Sequence, residues 1–167
     1  VNERKLGRTE EHMPQDLDIT IKGKRQGQFK SDTADDKIPG RGLAYEVKAP
    51  RDAATGQATG KRQYSPIIIT KQWSACSPQL LQALVTNELL ESVVLEFTGL
   101  DRAGKKTVVY RMTLRNATVA SLKSYRDERA TQDVGVLELE DVSLTFEKIE
   151  FENPAAKTAA QDDVTQK

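Results

Sequence analysis

The sequence predicts a mainly β fold: a β-barrel or closed sandwich of two sheets with one α-helix on its side. Three observations carry this expectation. Apolar and polar residues alternate at period two through most of the chain between Leu17 and Phe151, as strands with one buried face require. Only the segment after Ser77-Pro78 changes to helical spacing. In the last long stretch the apolar parity shifts twice, which marks the bulges and bends by which a sheet curls on itself. Six or seven strands around one helix would bury every apolar face. A chain of 167 residues is long enough for one such domain.

Residues 1–16 mix charges with Pro14, show no periodicity and read as a flexible N-terminal arm. The barrel domain is expected over 17–153. Its first strand sets Leu17, Ile19 and Ile21 on one face and Asp18, Thr20 and Lys22 on the other. Gly23 and Gly27 bracket a break, and residues 28–42, rich in Ser, Asp, Pro and Gly, read as a loop. Leu43, Tyr45 and Val47 then alternate as a second strand. Residues 49–63, APRDAATGQATGKRQ, hold almost no apolar bulk. A structureless stretch of that length inside a compact domain is unusual and points to function.

Tyr64 to Trp73 reads as a third strand, with Pro66 fitting only an edge, a strand start or a bulge. Ser77 is the expected N-cap of the helix and Pro78 its first helical residue. Leu80, Leu81, Leu84 and Val85 share one face, so Leu80, Leu81 and Leu84 should be buried against the barrel. Thr86-Asn87 ends the helix, since asparagine tolerates the left-handed cap. Val93, Leu95 and Phe97 form the next strand, and Asp101 to Lys105 a turn. Val108, Tyr110, Met112 and Leu114 begin a strand that runs past Asn116 towards Tyr125. The last stretch carries Leu137 and Leu139, then Val142, Leu144 and Phe146, then Ile149 and Phe151. Asn153-Pro154 closes the fold, and residues 154–167 read as a flexible C-terminal tail.

The composition excludes several function classes. Lysine plus arginine equals aspartate plus glutamate at 25 each, whereas a protein that tracks a phosphate backbone carries a basic excess. No nucleic acid and no membrane surface is expected as a partner. The longest apolar run, around Ile67 to Ile69, falls far short of the roughly 20 residues of a spanning helix. The N-terminal stretch has no apolar core of a signal peptide, so export by that route is not expected. Cys76 is the one cysteine, so packing rather than an internal disulfide must hold the domain, which suits assembly in a reducing cytoplasm.

Candidate catalytic groups are few. His12 is the one histidine and lies in the arm, where solvent exposure rather than catalysis is expected. Cys76 stands beside the helix start, which can stabilise a thiolate. Without a second histidine a Cys-His dyad has no base, so a packed or semi-buried thiol is expected. Zinc would need three or four Cys and His ligands. Gly56 and Gly60 have the wrong spacing for a phosphate loop. Asp35-Asp36 and Glu140-Asp141 read as solvated carboxylates, and Asn116-Ala117-Thr118 matches a glycosylation acceptor on a strand. No catalytic, cofactor-binding or metal-binding residues and no cofactor are therefore expected. The surface becomes the functional object.

The order of the segments carries a resemblance. Ile21-Lys22-Gly23, a long Gly/Ala/Thr loop ending in Gln57-Ala58-Thr59-Gly60-Lys61-Arg62, Ile69-Thr70-Lys71, Ser77-Pro78-Gln79-Leu80-Leu81 and Leu139-Glu140-Asp141-Val142 follow one another. From Asp18 to Glu150 this resembles the haemolysin-coregulated protein (Hcp) family of bacterial type VI secretion. Relative to that pattern the loop after the first strand is longer, and the arms before Leu17 and after Pro154 are extra. The resemblance implies a structural subunit of the secreted inner tube, not an enzyme. It implies flat homohexameric rings of β-barrels that stack within a contractile sheath and carry or accompany effectors. The partners implied are copies of the chain itself and the sheath, spike and effector proteins of the machine. It also implies assembly in the bacterial cytoplasm followed by secretion. Residues 49–63 would then contact a neighbouring subunit or the next ring. The alternative reading is a monomeric β-barrel that holds a small apolar ligand in its interior.

Overall fold

The computed structural model describes residues 16–126 and 138–166. Along the chain the elements are β1 (Asp16–Gly23), β2 (Gly27–Gln28), β3 (Ile38–Ala44), β4 (Val47–Lys48), β5 (Gln63–Tyr64), β6 (Ile67–Gln72), α1 (Ser77–Val85), β7 (Leu90–Leu100), β8 (Lys106–Arg126), β9 (Glu138–Thr145), β10 (Lys148–Asn153) and β11 (Thr158–Asp163). The main sheet runs β8-β7-β1-β3-β6-β9, and β9 returns to pair with β8. Six antiparallel strands thus close a barrel, as the alternating pattern predicts. Closure removes the free edges that an open sheet of this length would expose.

Strand β8 makes closure possible because it is long enough to serve two partners on one edge. Its first half pairs with β10 from Arg111 to Arg115, and its second half with β9 from Thr118 to Arg126. Between them Asn116 takes a left-handed φ of 50°. The buried parity of the strand changes there, from Met112 and Leu114 to Ala117 and Val119. Asparagine is among the few residues other than glycine that reach this conformation readily. The two carboxyl-terminal strands bend at the matching place: Phe146 and Glu147 separate β9 from β10, and Asn116 Nδ2 donates to Glu147 Oε2 at 2.8 Å. The second of the two parity shifts read in the last stretch, from Phe146 to Ile149, is this corner.

The barrel is filled by Ile19, Ile38, Ile67, Leu95, Leu114 and Leu144, all fully buried. Helix α1 packs against β8 and buries Leu80 and Ala83. It ends as expected. Asn87 has a left-handed φ of 50°, its N–H donates to Leu84 O, and Glu88 N–H donates to Ala83 O. This paired pattern satisfies two of the terminal carbonyls.

Five sequence expectations are corrected. The second strand begins at Ile38, inside the segment read as loop. Gly40 sits in it because a Cβ there would lie 2.6 Å from Leu17 Cδ2, so glycine marks a close strand approach rather than a turn. Phe29, in the same segment, is fully buried. Second, residues 49–63 are not structureless but form most of a β4–β5 hairpin. Third, Cys76 is the N-cap and makes no side-chain capping bond, while Ser77 is already helical. Fourth, Leu81 and Val85 are exposed, because the barrel covers only the side of α1 that carries Leu80 and Ala83.

Fifth, the tail after Pro154 includes β11, which pairs with β10 from Lys148↔Asp163 to Asn153↔Thr158. Its turn is closed by Asn153 Oδ1, which accepts from Ala156 N at 2.9 Å. The expected N-terminal arm lies outside the described residues apart from Asp16, which opens β1. His12 is outside them as well.

Candidate assembly surfaces

Two surfaces stand out, and they lie at opposite ends of β6. The hairpin β4–β5 leaves the barrel before Ile67, and α1 follows Gln72. Six residues at about 3.3 Å each separate the two ends by about 20 Å.

The hairpin is an ordered arm without a core of its own. Val47 pairs with Tyr64 and Lys48 with Gln63, and a further bridge joins Arg51 to Ala58. The tip is closed by hydrogen bonds instead of packing. Asp52 N–H donates to Gln57 O at 2.8 Å, and Gly56 N–H to Asp52 O at 2.9 Å. Asp52 Oδ1 accepts from Thr55 N–H, Ala54 N–H and the Thr55 hydroxyl at 2.7, 2.9 and 3.0 Å. These bonds, with the Thr55 amide first, hold the Asp52 carboxyl below its ordinary range. Gly56 has φ +70°, which glycine adopts without a steric cost. From Ala53 to Gln63 every residue is exposed.

The root of the arm is braced by aromatic packing and by β11. Tyr64 meets Phe146 edge-on, with centroids 5.4 Å apart. The Arg62 guanidinium grips Asp162 with two nitrogens, Nε on Oδ2 and Nη2 on Oδ1. Arg62 Nη2 also donates to Asp163 O at 2.8 Å, and the Tyr64 hydroxyl donates to Asp162 Oδ2 at 2.7 Å. The bond from Arg62 pulls the Asp162 carboxyl below its ordinary range against the opposing effect of burial. Burial, followed by the bond to Asp162, pushes the Tyr64 phenol up. A shallow groove of about 150 Å³ lies beside this root between Tyr45, Val47, Tyr64 and Phe151.

The second surface is an apolar cleft of about 560 Å³ beside α1. Trp73, Leu81 and Val85 are 55%, 54% and 68% exposed. Of these, Trp73 and Leu81 line the cleft with Pro78, Leu84 and Leu122, and Ser74, Ser77, Ser124 and Glu140 supply its polar atoms. Isolated exposed apolar residues are ordinary, but an apolar group gathered along one cleft makes it a candidate interaction surface.

Under the cleft lies a feature that the sequence reading missed. Glu140, expected to be solvated, is 3% exposed, and its register partner Lys71 is 1% exposed. Lys71 Nζ donates to Glu140 Oε1 and, at 2.6 Å, to Gln72 O. The Ser77 hydroxyl donates to the same Glu140 oxygen at 2.7 Å and accepts from Ser74 N–H at 3.0 Å. The signal was present. Lys71 shares the parity of Ile67 and Ile69, and Glu140 that of Val142 and Leu144, so both charges fall on inward-facing positions. Cys76 is buried beside them, and burial pushes its thiol up. The packed thiol was expected. A raised thiol is the opposite of the activated state that a nucleophile needs.

The remaining singled-out residues do not converge. Asp35 and Asp36 are exposed in the loop before β3, where Asp35 accepts from the Thr33 hydroxyl at 2.6 Å. Asp141 is half-buried and accepts from the Thr70 hydroxyl at 2.8 Å. Asn116 serves the β8 corner. Glu88, not singled out, is buried and accepts from the Arg25 and Gln26 backbone N–H groups.

The family described as type VI secretion system effector, Hcp, matches residues 17–152. The chain belongs to the Hcp family. It is 34% identical over 132 residues to the "Major exported protein" of Pseudomonas aeruginosa, which covers 77% of this chain and 76% of that protein. Among solved structures it is similar to an Hcp protein with a TM-score of 0.82 and 23% identity, over 92% of this chain and 99% of the other. It is also similar to the secreted protein Hcp3 of Pseudomonas aeruginosa, with a TM-score of 0.74 and 24% identity, over 91% and 99%. These two likenesses establish the Hcp fold. Hcp is a family of secreted tube proteins of type VI secretion, not of enzymes. The Hcp match ends before β11, so the Arg62–Asp162 contact joins the matched barrel to residues beyond the match.

Proposed function

We propose that this protein is a subunit of the inner tube of a type VI secretion machine, forming stacked homohexameric rings that carry or accompany effectors. Family membership supports the tube role. The observation in this chain that carries the reading is the β4–β5 hairpin. An ordered arm, exposed from Ala53 to Gln63 and held together by its own turn bonds, gains nothing for the isolated subunit. It gains a purpose when it contacts a neighbouring subunit or the next ring. Arm and apolar cleft lie at opposite ends of β6, which suits a head-to-tail contact repeated from one ring to the next along the tube. Other copies of the chain are the first partners, followed by the sheath, spike and effectors. Assembly takes place in the cytoplasm and release occurs with the tube. The interior of the barrel is occupied by packed Ile and Leu side chains, and no observation favours the ligand-binding alternative.

Light scattering after size exclusion tests the first step: a hexamer at micromolar concentration is expected, and a monomer across a wide concentration range overturns the reading. Release tests the second. The protein should reach the culture medium only from cells with a working contractile machine, with a cytoplasmic marker controlling for lysis. Equal release from cells lacking the machine would reject the tube.

A further inference from the structure

The geometry points to β11 as a brace that sets the direction of the β4–β5 arm for assembly, with Asp162 as the positioning residue acting through Arg62. This inference rests on the reading of the arm as an intersubunit contact.

The arm has little else to fix it. It joins the barrel through Tyr45-Glu46 on one side and Ser65-Pro66 on the other. Two ladder pairs and the Ser65 N–H bond to Glu46 O at 3.0 Å hold its base. Beyond the base every residue from Ala53 to Lys61 is exposed. A two-stranded ribbon without a packed face is marginal in water, so its angle to the barrel depends on contacts at the root. One is the ring of Tyr64 on Phe146. The others come from β11: the guanidinium fork on Asp162, Arg62 on Asp163 O, and the Tyr64 hydroxyl on Asp162. Two planar groups joined by parallel bonds fix direction as well as distance.

What β11 lacks makes the same point. A strand added to a barrel ordinarily gains by burying apolar side chains. Thr158, Ala159, Ala160 and Gln161 are all exposed, and only Asp162 and Asp163 are half-buried. The strand is held by its ladder with β10 and by Val164 N–H on Glu147 O at 2.7 Å. It therefore contributes little core and delivers one carboxylate to the root of the arm. A surface ion pair of this kind adds little to global stability. Its value lies in removing orientations the arm would otherwise sample before contact, which is how preorganisation strengthens association.

The test measures the direction of the arm and its consequence separately. Spin labels on Thr55→Cys at the tip and Ser121→Cys on the barrel report the arm's distance distribution, with labelled subunits diluted into unlabelled ones. Native Cys76 is buried and takes no label. Asp162→Ala should broaden the distribution and raise the concentration needed for assembly roughly tenfold, while the melting point moves by less than about 4 °C. The exchanged pair Arg62→Asp with Asp162→Arg should narrow the distribution again and recover assembly. An unchanged distribution in Asp162→Ala overturns the inference. So does a broadened distribution with unchanged assembly, provided that deleting residues 53–59 weakens assembly. If that deletion leaves assembly intact, the arm is not an assembly contact, and both the reading beneath the inference and the inference fail.

Discussion

Replacing Glu140 with glutamine should destabilise the barrel far more than a surface position would. Glutamine keeps the shape of the side chain and removes its charge. Lys71 then remains at 1% exposure with Gln72 O at 2.6 Å and the Ser77 hydroxyl at 3.4 Å as its other acceptors, and no counter-charge among the described residues. Breaking one side of a buried pair costs about 3–5 kcal/mol. The two remaining acceptors place this case near the lower end. For a chain of 167 residues with an unfolding entropy of about 2.1 cal/mol/K per residue, ~3 kcal/mol corresponds to a melting point lower by about 9 °C. The assay is urea and thermal unfolding at one fixed protein concentration, because assembly adds to apparent stability. The informative control is the double variant Lys71→Met with Glu140→Leu. Removing both charges also removes the desolvation cost, so it should lose much less than Glu140→Gln, or nothing. A loss under about 1 kcal/mol in the single variant would refute the reasoning. A double variant that loses as much as both single changes together would show that the two charges are not coupled.

Leu80→Ala should cost about 2–5 kcal/mol, the range for a fully buried leucine, whereas Leu81→Ala should stay within about 0.5 kcal/mol in the dissociated subunit; equal losses by urea unfolding would contradict the orientation of α1. Gly40→Ala should cost about 1–3 kcal/mol because its Cβ would meet the Leu17 side chain, and an unchanged unfolding midpoint would show that β1 and β3 have room to move apart. The carboxyls of Asp162 and Glu150 sit below their ordinary range, Asp162 through Arg62 and Glu150 through Lys148 and then Arg115. A depressed folded pKa gives stability that is present above the unfolded value of about 4 and is lost as pH falls through the folded value. Melting points measured between pH 7 and pH 2 should therefore fall on the acid side, less steeply in Asp162→Asn; an identical acid limb in that variant would remove Asp162 from the account.

The legible parts of the fold are those where local chemistry and burial agree. Leu17, Ile19 and Ile21 alternate because β1 has one buried face, and Asn87 ends α1 because asparagine reaches the left-handed cap. The corner at Asn116 left its trace as a strand that outruns its own parity. Two of the misreadings share one cause: a residue type taken for its commonest use. Gly40 and Pro39 signal a loop by frequency, yet in β3 glycine is needed because Leu17 crosses it too closely for a Cβ. Glu140 signals solvent, yet Lys71 opposite it makes an inward position tolerable. β11 carries no large apolar side chain and left no periodicity to read, since its backbone ladder and Asp162 hold it rather than apolar burial.

The helix is the instructive disagreement, because there the sequence pattern is wider than the subunit needs. Leu80, Leu81, Leu84 and Val85 form a broad apolar stripe, while the barrel buries Leu80 and Ala83, covers Leu84 in part, and leaves Leu81 and Val85 in solvent, Leu81 beside Trp73. An apolar stripe in a sequence reflects every surface taken from water, including surface covered by other chains. A single subunit reveals only the part covered by its own fold. The remainder, Leu81 and Val85, is therefore the portion of the pattern that a monomer leaves unexplained. The hairpin makes the complementary point, being exposed where a monomer would gain nothing by ordering it. Excess apolar pattern at one end of β6 and excess ordered backbone at the other are what the proposed assembly from copies of this chain would use.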